Sequence, residues 1–144
     1  ALQSAACLAG MSFSVAGVGL AHAMAHTLGA LHGVPHGAAC GIALPKVMRF
    51  NAEYATDALV QIGEALGVDG AGRQPVEIAR AAADAIENLM KAAGAPTTLK
   101  ELGVPEEDLP NCAFHALVDP SAIFNPRPVG DPGEILALYQ EAYS

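Results

Sequence analysis

The chain has 144 residues, of which 52% are apolar and 15% charged, and its formal net charge is −8. That length suits one ordinary domain with a single core. Against about 25% charged residues in a usual soluble domain, the apolar excess points to a partner surface and to a homo-oligomer, while seven scattered Lys and Arg exclude nucleic acid and the acidic balance excludes an anionic membrane as partner.

Taken in chain order, the elements all read as helix. Residues 1–16 are rich in small side chains and predict a tightly packed helix that stops at Gly17-Val18-Gly19. With no initiator Met or cap before Ala1, the chain is expected to begin mid-helix, with polypeptide upstream. A helix over 18–31 follows, then one over 37–51 with Pro45 as a kink and Arg49 at the end the helix dipole favours. Leu59, Ile62 and Leu66 set an amphipathic helix over 55–67, and Pro75 opens another that ends at Gly94-Ala95-Pro96. Thr97 or Thr98 caps a short turn, Pro105-Glu106-Glu107 starts a helix that Asp119-Pro120 ends, and residues 125–132 cross in extended, proline-stiffened form. Asp131-Pro132-Gly133-Glu134 reads as a capping box for a last helix carrying Ile135, Leu136, Leu138 and Tyr139. No alternating strand pattern, GxGxxG or P-loop is present.

Three cysteines, Cys7, Cys40 and Cys112, are odd in number and lack CxxC spacing, so they are read as reduced, mostly buried thiols. With no basic leader and no run near 18 apolar residues, neither a signal peptide nor a membrane span is expected, and the setting is cytoplasmic.

The chemistry is concentrated in one segment that holds four of the five histidines: His22, His26, His32 and His36. On a helix His22 and His26 share a face, and the Gly33-Val34-Pro35 break can return His36 to that face from the start of the next helix. Three imidazoles within reach of one point suit Zn or Fe(II). Near a helix N-terminus the dipole disfavours imidazolium at His36, which leaves the neutral form that ligates metal. The Glu of HExxH is missing, so a zinc-protease base is absent. Gly29, Gly33 and Gly37 would admit a closely packed helix or a flat ligand. By spacing alone His22, His26 and His36 would all be ligands; His32 is read as a turn residue beside the site or in solvent, and His115 as a surface residue.

Four segments resemble, in order and spacing, the C-terminal helical domain of the iron-containing (group III) alcohol dehydrogenases. They are Gly17 to Gly29 with its His22 and His26, Val34-Pro35-His36-Gly37, Leu44 to Asn51, and Asn125-Pro126-Arg127-Pro128. The likeness covers essentially the whole chain. It implies an all-α helical bundle of dehydroquinate synthase-like architecture, preceded by a nucleotide-binding α/β domain, with the active site in the cleft between them. It implies Fe(II), or sometimes Zn, held by an Asp and three His, with His22 and His36 as two of those ligands. His26 then lies beside nicotinamide and substrate, a catalytic and cofactor-binding residue that does not bind the metal.

The Asp, the remaining His and the pyrophosphate loop lie upstream in that family and have no counterpart in residues 1–144. The expected organisation is therefore one helical domain, the C-terminal piece of a larger two-domain enzyme, inactive by itself. Hydride transfer with NAD(P) between alcohols and aldehydes or ketones is the implied reaction. Maleylacetate reductases and glycerol dehydrogenases share the architecture, and a stand-alone helical metal-binding or interaction module is the reading from another class.

Overall fold

The structure, a computed structural model, describes residues 1–144 and is all-α, as the periodicities predict. Its helices are α1 (Leu2–Ala16), α2 (Leu20–His32), α3 (His36–Phe50), α4 (Thr56–Ala65), α5 (Pro75–Ala92), α6 (Leu109–Val118) and α7 (Pro132–Tyr143), with short 3-10 turns at Glu106–Asp108 and Pro120–Phe124. The main core is built around α2, whose Leu20, Ala21, Ala23, Met24, Ala25, Thr27 and Leu28 are all buried. Ile42 of α3, Leu109 of α6, and Ile135 and Tyr139 of α7 close over it. Alanines along α2 keep the neighbouring helices close, and the one large polar group in this layer is satisfied: the Tyr139 hydroxyl donates to the Met24 carbonyl at 2.9 Å.

A smaller core joins the end of α3 to α4 and α5 through Met48, Ala52, Leu59, Ala79, Ala82 and Ala83. Beside it, Glu87 of α5 accepts from both Lys46 and Arg49 of α3, and Arg49 also donates to Asp84. Burial pushes the Glu87 carboxyl up, but the two cations outweigh it and hold its pKa below the ordinary 4.5. A carboxyl depressed in the folded state adds stability above its unfolded pKa and loses it as pH falls through the folded value. Glu87→Gln is therefore expected to cost about 1–2 kcal/mol at neutral pH, with the difference from the parent shrinking to nothing as urea denaturation is repeated at successive steps below pH 4.5.

Residues 1–16 form the expected helix, and their small-residue face lies uncovered, as expected for this chain: no residue of α1 is buried, and Leu2, Leu8, Met11 and Val15 are exposed. The reason is the turn at Gly17, whose φ of +78° goes with a 104° bend between α1 and α2 that carries α1 off the bundle. At the last helix, Asp131 caps by accepting from the Gly133 N–H at 2.8 Å, yet Glu134 binds Arg127 at 2.8 Å, a charged donor stronger than the backbone N–H a capping box would offer. The reciprocal reach occurs at α5, where Glu77 accepts from the Gln74 N–H. Finally, the helix expected from Pro105 begins as a 3-10 turn and becomes α-helical only at Leu109. No single helix is long and apolar enough to cross a membrane.

Candidate metal centre

Gly33 ends α2 in the left-handed conformation, φ +66°, and its N–H returns to the Gly29 carbonyl at 3.1 Å. Pro35 then fixes the chain so that His36 is the first residue of α3. No helix packs onto Gly37, where an added Cβ would meet nothing within 4 Å. With α2 and α3 side by side, the triangle that spacing predicts is present: ring centroids lie 5.3 Å apart for His22 and His36, 5.4 Å for His26 and His36, and 5.9 Å for His22 and His26.

Spacing missed a thiol. Cys40 follows His36 by one turn of α3, with its Sγ 3.4 Å from His36 Nε2. His22, His36 and Cys40 present ligand atoms that all lie within 4.8 Å of one another, a separation that one tetrahedral divalent ion can span. Burial, then the neighbouring His36 and His26 rings, lower the pKa of His22 and keep it neutral. Burial pushes the Cys40 thiol up.

His26 stands in the triangle but outside that donor group, and its Nδ1 lies 3.1 Å from Asp119 Oδ2. Burial raises the Asp119 carboxyl, but its hydrogen bonds from Ser121 and the His26 ring outweigh this and hold it below the ordinary range. Asp119, which sequence reasoning treated only as a helix stop, is thus the partner that orients His26. Alongside them Thr27, Leu31, His115 and Val118 line a shallow groove of about 230 Å³. His115 is exposed, as expected, and shares this groove.

Cys7 and His32 depart from expectation. Cys112 is buried and Cys40 half-buried, but Cys7 is exposed because it sits on the uncovered α1. His32 is neither free nor loose in a turn: it is the last residue of α2, its Nε2 2.8 Å from Asp108 Oδ2.

The two remaining motifs form a frame. Asn125 Oδ1 accepts from Asn51 Nδ2 at 2.9 Å and from the Leu20 N–H at 3.4 Å, while Asn125 Nδ2 donates to Asn51 Oδ1 and the Arg127 carbonyl, each at 2.8 Å. Arg127 in turn lies 3.9 Å over the Phe50 ring. The start of α2, two residues before His22, is thereby locked to the end of α3. Gly19 eases that approach, since a Cβ there would lie 3.3 Å from Asn125 Oδ1 and the amide would have to give way.

Comparison with known proteins shows the family. The sequence model of the Fe-containing alcohol dehydrogenase family, C-terminal, matches residues 1–143. The chain is 40% identical over 139 residues to 1,3-propanediol dehydrogenase of Klebsiella pneumoniae, covering 96% of this chain and 36% of that protein. It is also 40% identical over 136 residues to lactaldehyde reductase of Escherichia coli (strain K12), covering 94% and 35%. A crystal structure of 1,3-propanediol oxidoreductase superposes with a TM-score of 0.89 at 40% identity, over 94% of this chain and 35% of that one. The chain thus spans about a third of the length of these relatives.

Proposed function

Because the chain belongs to the Fe-containing alcohol dehydrogenase family and matches its C-terminal part, we propose that it is the metal-holding helical domain of an NAD(P)-dependent oxidoreductase interconverting alcohols with aldehydes or ketones. The observation that carries this reading is the His22, His26 and His36 triangle, with His26 alone tied to a carboxylate. Two imidazoles that converge from adjacent helices fit Fe(II) or Zn, so His22 and His36 would hold the metal, with the remaining ligands supplied upstream of the chain. Bound there, the metal supplies Lewis acidity toward the substrate oxygen.

The chain's own residues do the rest. The Asp119 carboxylate accepts the His26 Nδ1 proton, fixing the tautomer whose Nε2 is free to accept the alcohol proton or return it to a carbonyl product. Leu31 and Val118 beside His26 give the nicotinamide or the substrate an apolar wall. The names of the relatives favour a short-chain diol or hydroxyaldehyde as substrate. A nucleotide-binding domain upstream, homo-oligomeric assembly and a cytoplasmic setting belong to the same proposal.

The test uses the full-length polypeptide that carries this chain, loaded with Fe(II) and assayed by nicotinamide absorbance with 1,3-propanediol and lactaldehyde, each with both nicotinamide cofactors. Turnover that a chelator abolishes and Fe(II) restores is the expected result. Turnover indifferent to chelation, or no turnover with any short-chain alcohol or aldehyde, would overturn the reading.

A further inference from the structure

A second group of donors gathers at the far end of α2, ten residues and about 15 Å along the helix from His22. Asp108 closes the 3-10 turn that leads into α6, and Cys112 stands four residues on, so the two share a face. His32 meets them from α2. Its Nε2 is 2.8 Å from Asp108 Oδ2 and 3.5 Å from Cys112 Sγ, and that sulfur is 4.0 Å from the same carboxylate oxygen. Ligand atoms of all three lie within 4.8 Å of one another.

We propose that His32, Asp108 and Cys112 form a second divalent-cation site, of the zinc type, that fastens the C-terminal end of α2 to the start of α6. A tetrahedral ion with bonds of about 2.0 Å to nitrogen and oxygen and about 2.3 Å to sulfur sets its donors roughly 3.3–3.6 Å apart. The three observed separations, 2.8, 3.5 and 4.0 Å, bracket that range, and shifts of about half an ångström reach it.

The geometry also discriminates against a nucleophilic relay. In a Cys–His–carboxylate relay the two ring nitrogens serve different partners, whereas here one nitrogen, Nε2, faces both sulfur and carboxylate. One ring nitrogen, one sulfur and one carboxylate oxygen gathered within 4.8 Å of one another make a ligand set. Thiolate with imidazole selects Zn(II) over the hard cations Mg(II) and Ca(II). Cys112 forms the buried floor, and the His32 and Asp108 side chains, 16% and 32% exposed, leave the fourth position to water. On binding, the thiol proton passes to solvent, and the thiolate and carboxylate together neutralise the dication.

Co(II) is the probe, titrated into the full chain carrying His22→Ala and His36→Ala so that the first donor group cannot contribute. One equivalent is expected to bind, with a thiolate-to-cobalt charge-transfer band and the strong visible absorption of a tetrahedral ion. Cys112→Ser should remove the charge-transfer band, Cys40→Ser should leave it, and His32→Ala should weaken binding at least tenfold. Because Cys112 is buried and its replacement can unfold the chain, His32→Ala with circular dichroism as the folding control carries the decision. A band that follows Cys40, uptake without a thiolate band, or unchanged affinity in His32→Ala would overturn the proposal.

Discussion

Asn125→Ala is expected to destabilise the folded chain by about 3 kcal/mol, measured by urea denaturation at neutral pH. The side chain is buried and uses both ends of its amide: the oxygen accepts from Asn51 and the Leu20 N–H, the nitrogen donates to Asn51 and the Arg127 carbonyl. Truncation strands the Asn51 amide and the first N–H of α2 away from water, and each buried group so orphaned costs about 1–3 kcal/mol. Asn51→Ala should cost a similar amount, and the double variant much less than the sum, since removing both amides leaves fewer orphans. A loss below about 1 kcal/mol in Asn125→Ala would mean that water replaces the lost partners and that the frame is not closed.

In the full-length protein, His36→Ala and His26→Ala are expected to separate metal retention from turnover. His36→Ala should lose the metal and lower kcat by about 1,000-fold or more, the several kcal/mol that a Lewis-acid ion contributes. His26→Ala should keep a full complement of metal by elemental analysis and still lose about 100-fold in kcat, the lower range for a positioned acid–base group. Asp119→Asn should retain metal too, with a smaller loss and a displaced pH profile, because the carboxylate acts through His26. Loss of metal in His26→Ala would return the site to the three-imidazole reading that spacing alone allows.

What was legible in the sequence follows from how local the encoding is. Helix type, the break at Gly33 to Pro35 and the convergence of His22, His26 and His36 all depend on residues within fifteen positions of one another, and periodicity carries that information. The partners of those histidines do not. Asp119 is 93 residues from His26 and Cys112 is 80 from His32, and nothing in either local pattern announces the other. The Asn125 to Pro128 segment was conspicuous by its likeness to a family, but its work as a frame became readable only when Asn51 and Leu20 stood beside it. At Glu134 a correct local rule lost to a tertiary partner, since Arg127 arrives from outside the helix. For residues 1–16 small side chains say that a helix can be approached closely, but they do not say what approaches.

That uncovered first helix has a thermodynamic consequence. A fifteen-residue helix with no buried face sits near the margin of helix stability in water, and beyond the Gly17 turn its support is slight, with the Phe13 ring 6.1 Å from that of His22. Its order and its contacts are therefore a single equilibrium, in which any surface that covers α1 must also supply the free energy of fixing its backbone. Affinity is lowered by that ordering cost, and in return the grip is reversible, with Phe13 beside His22 as the contact through which fraying of α1 reaches the histidines.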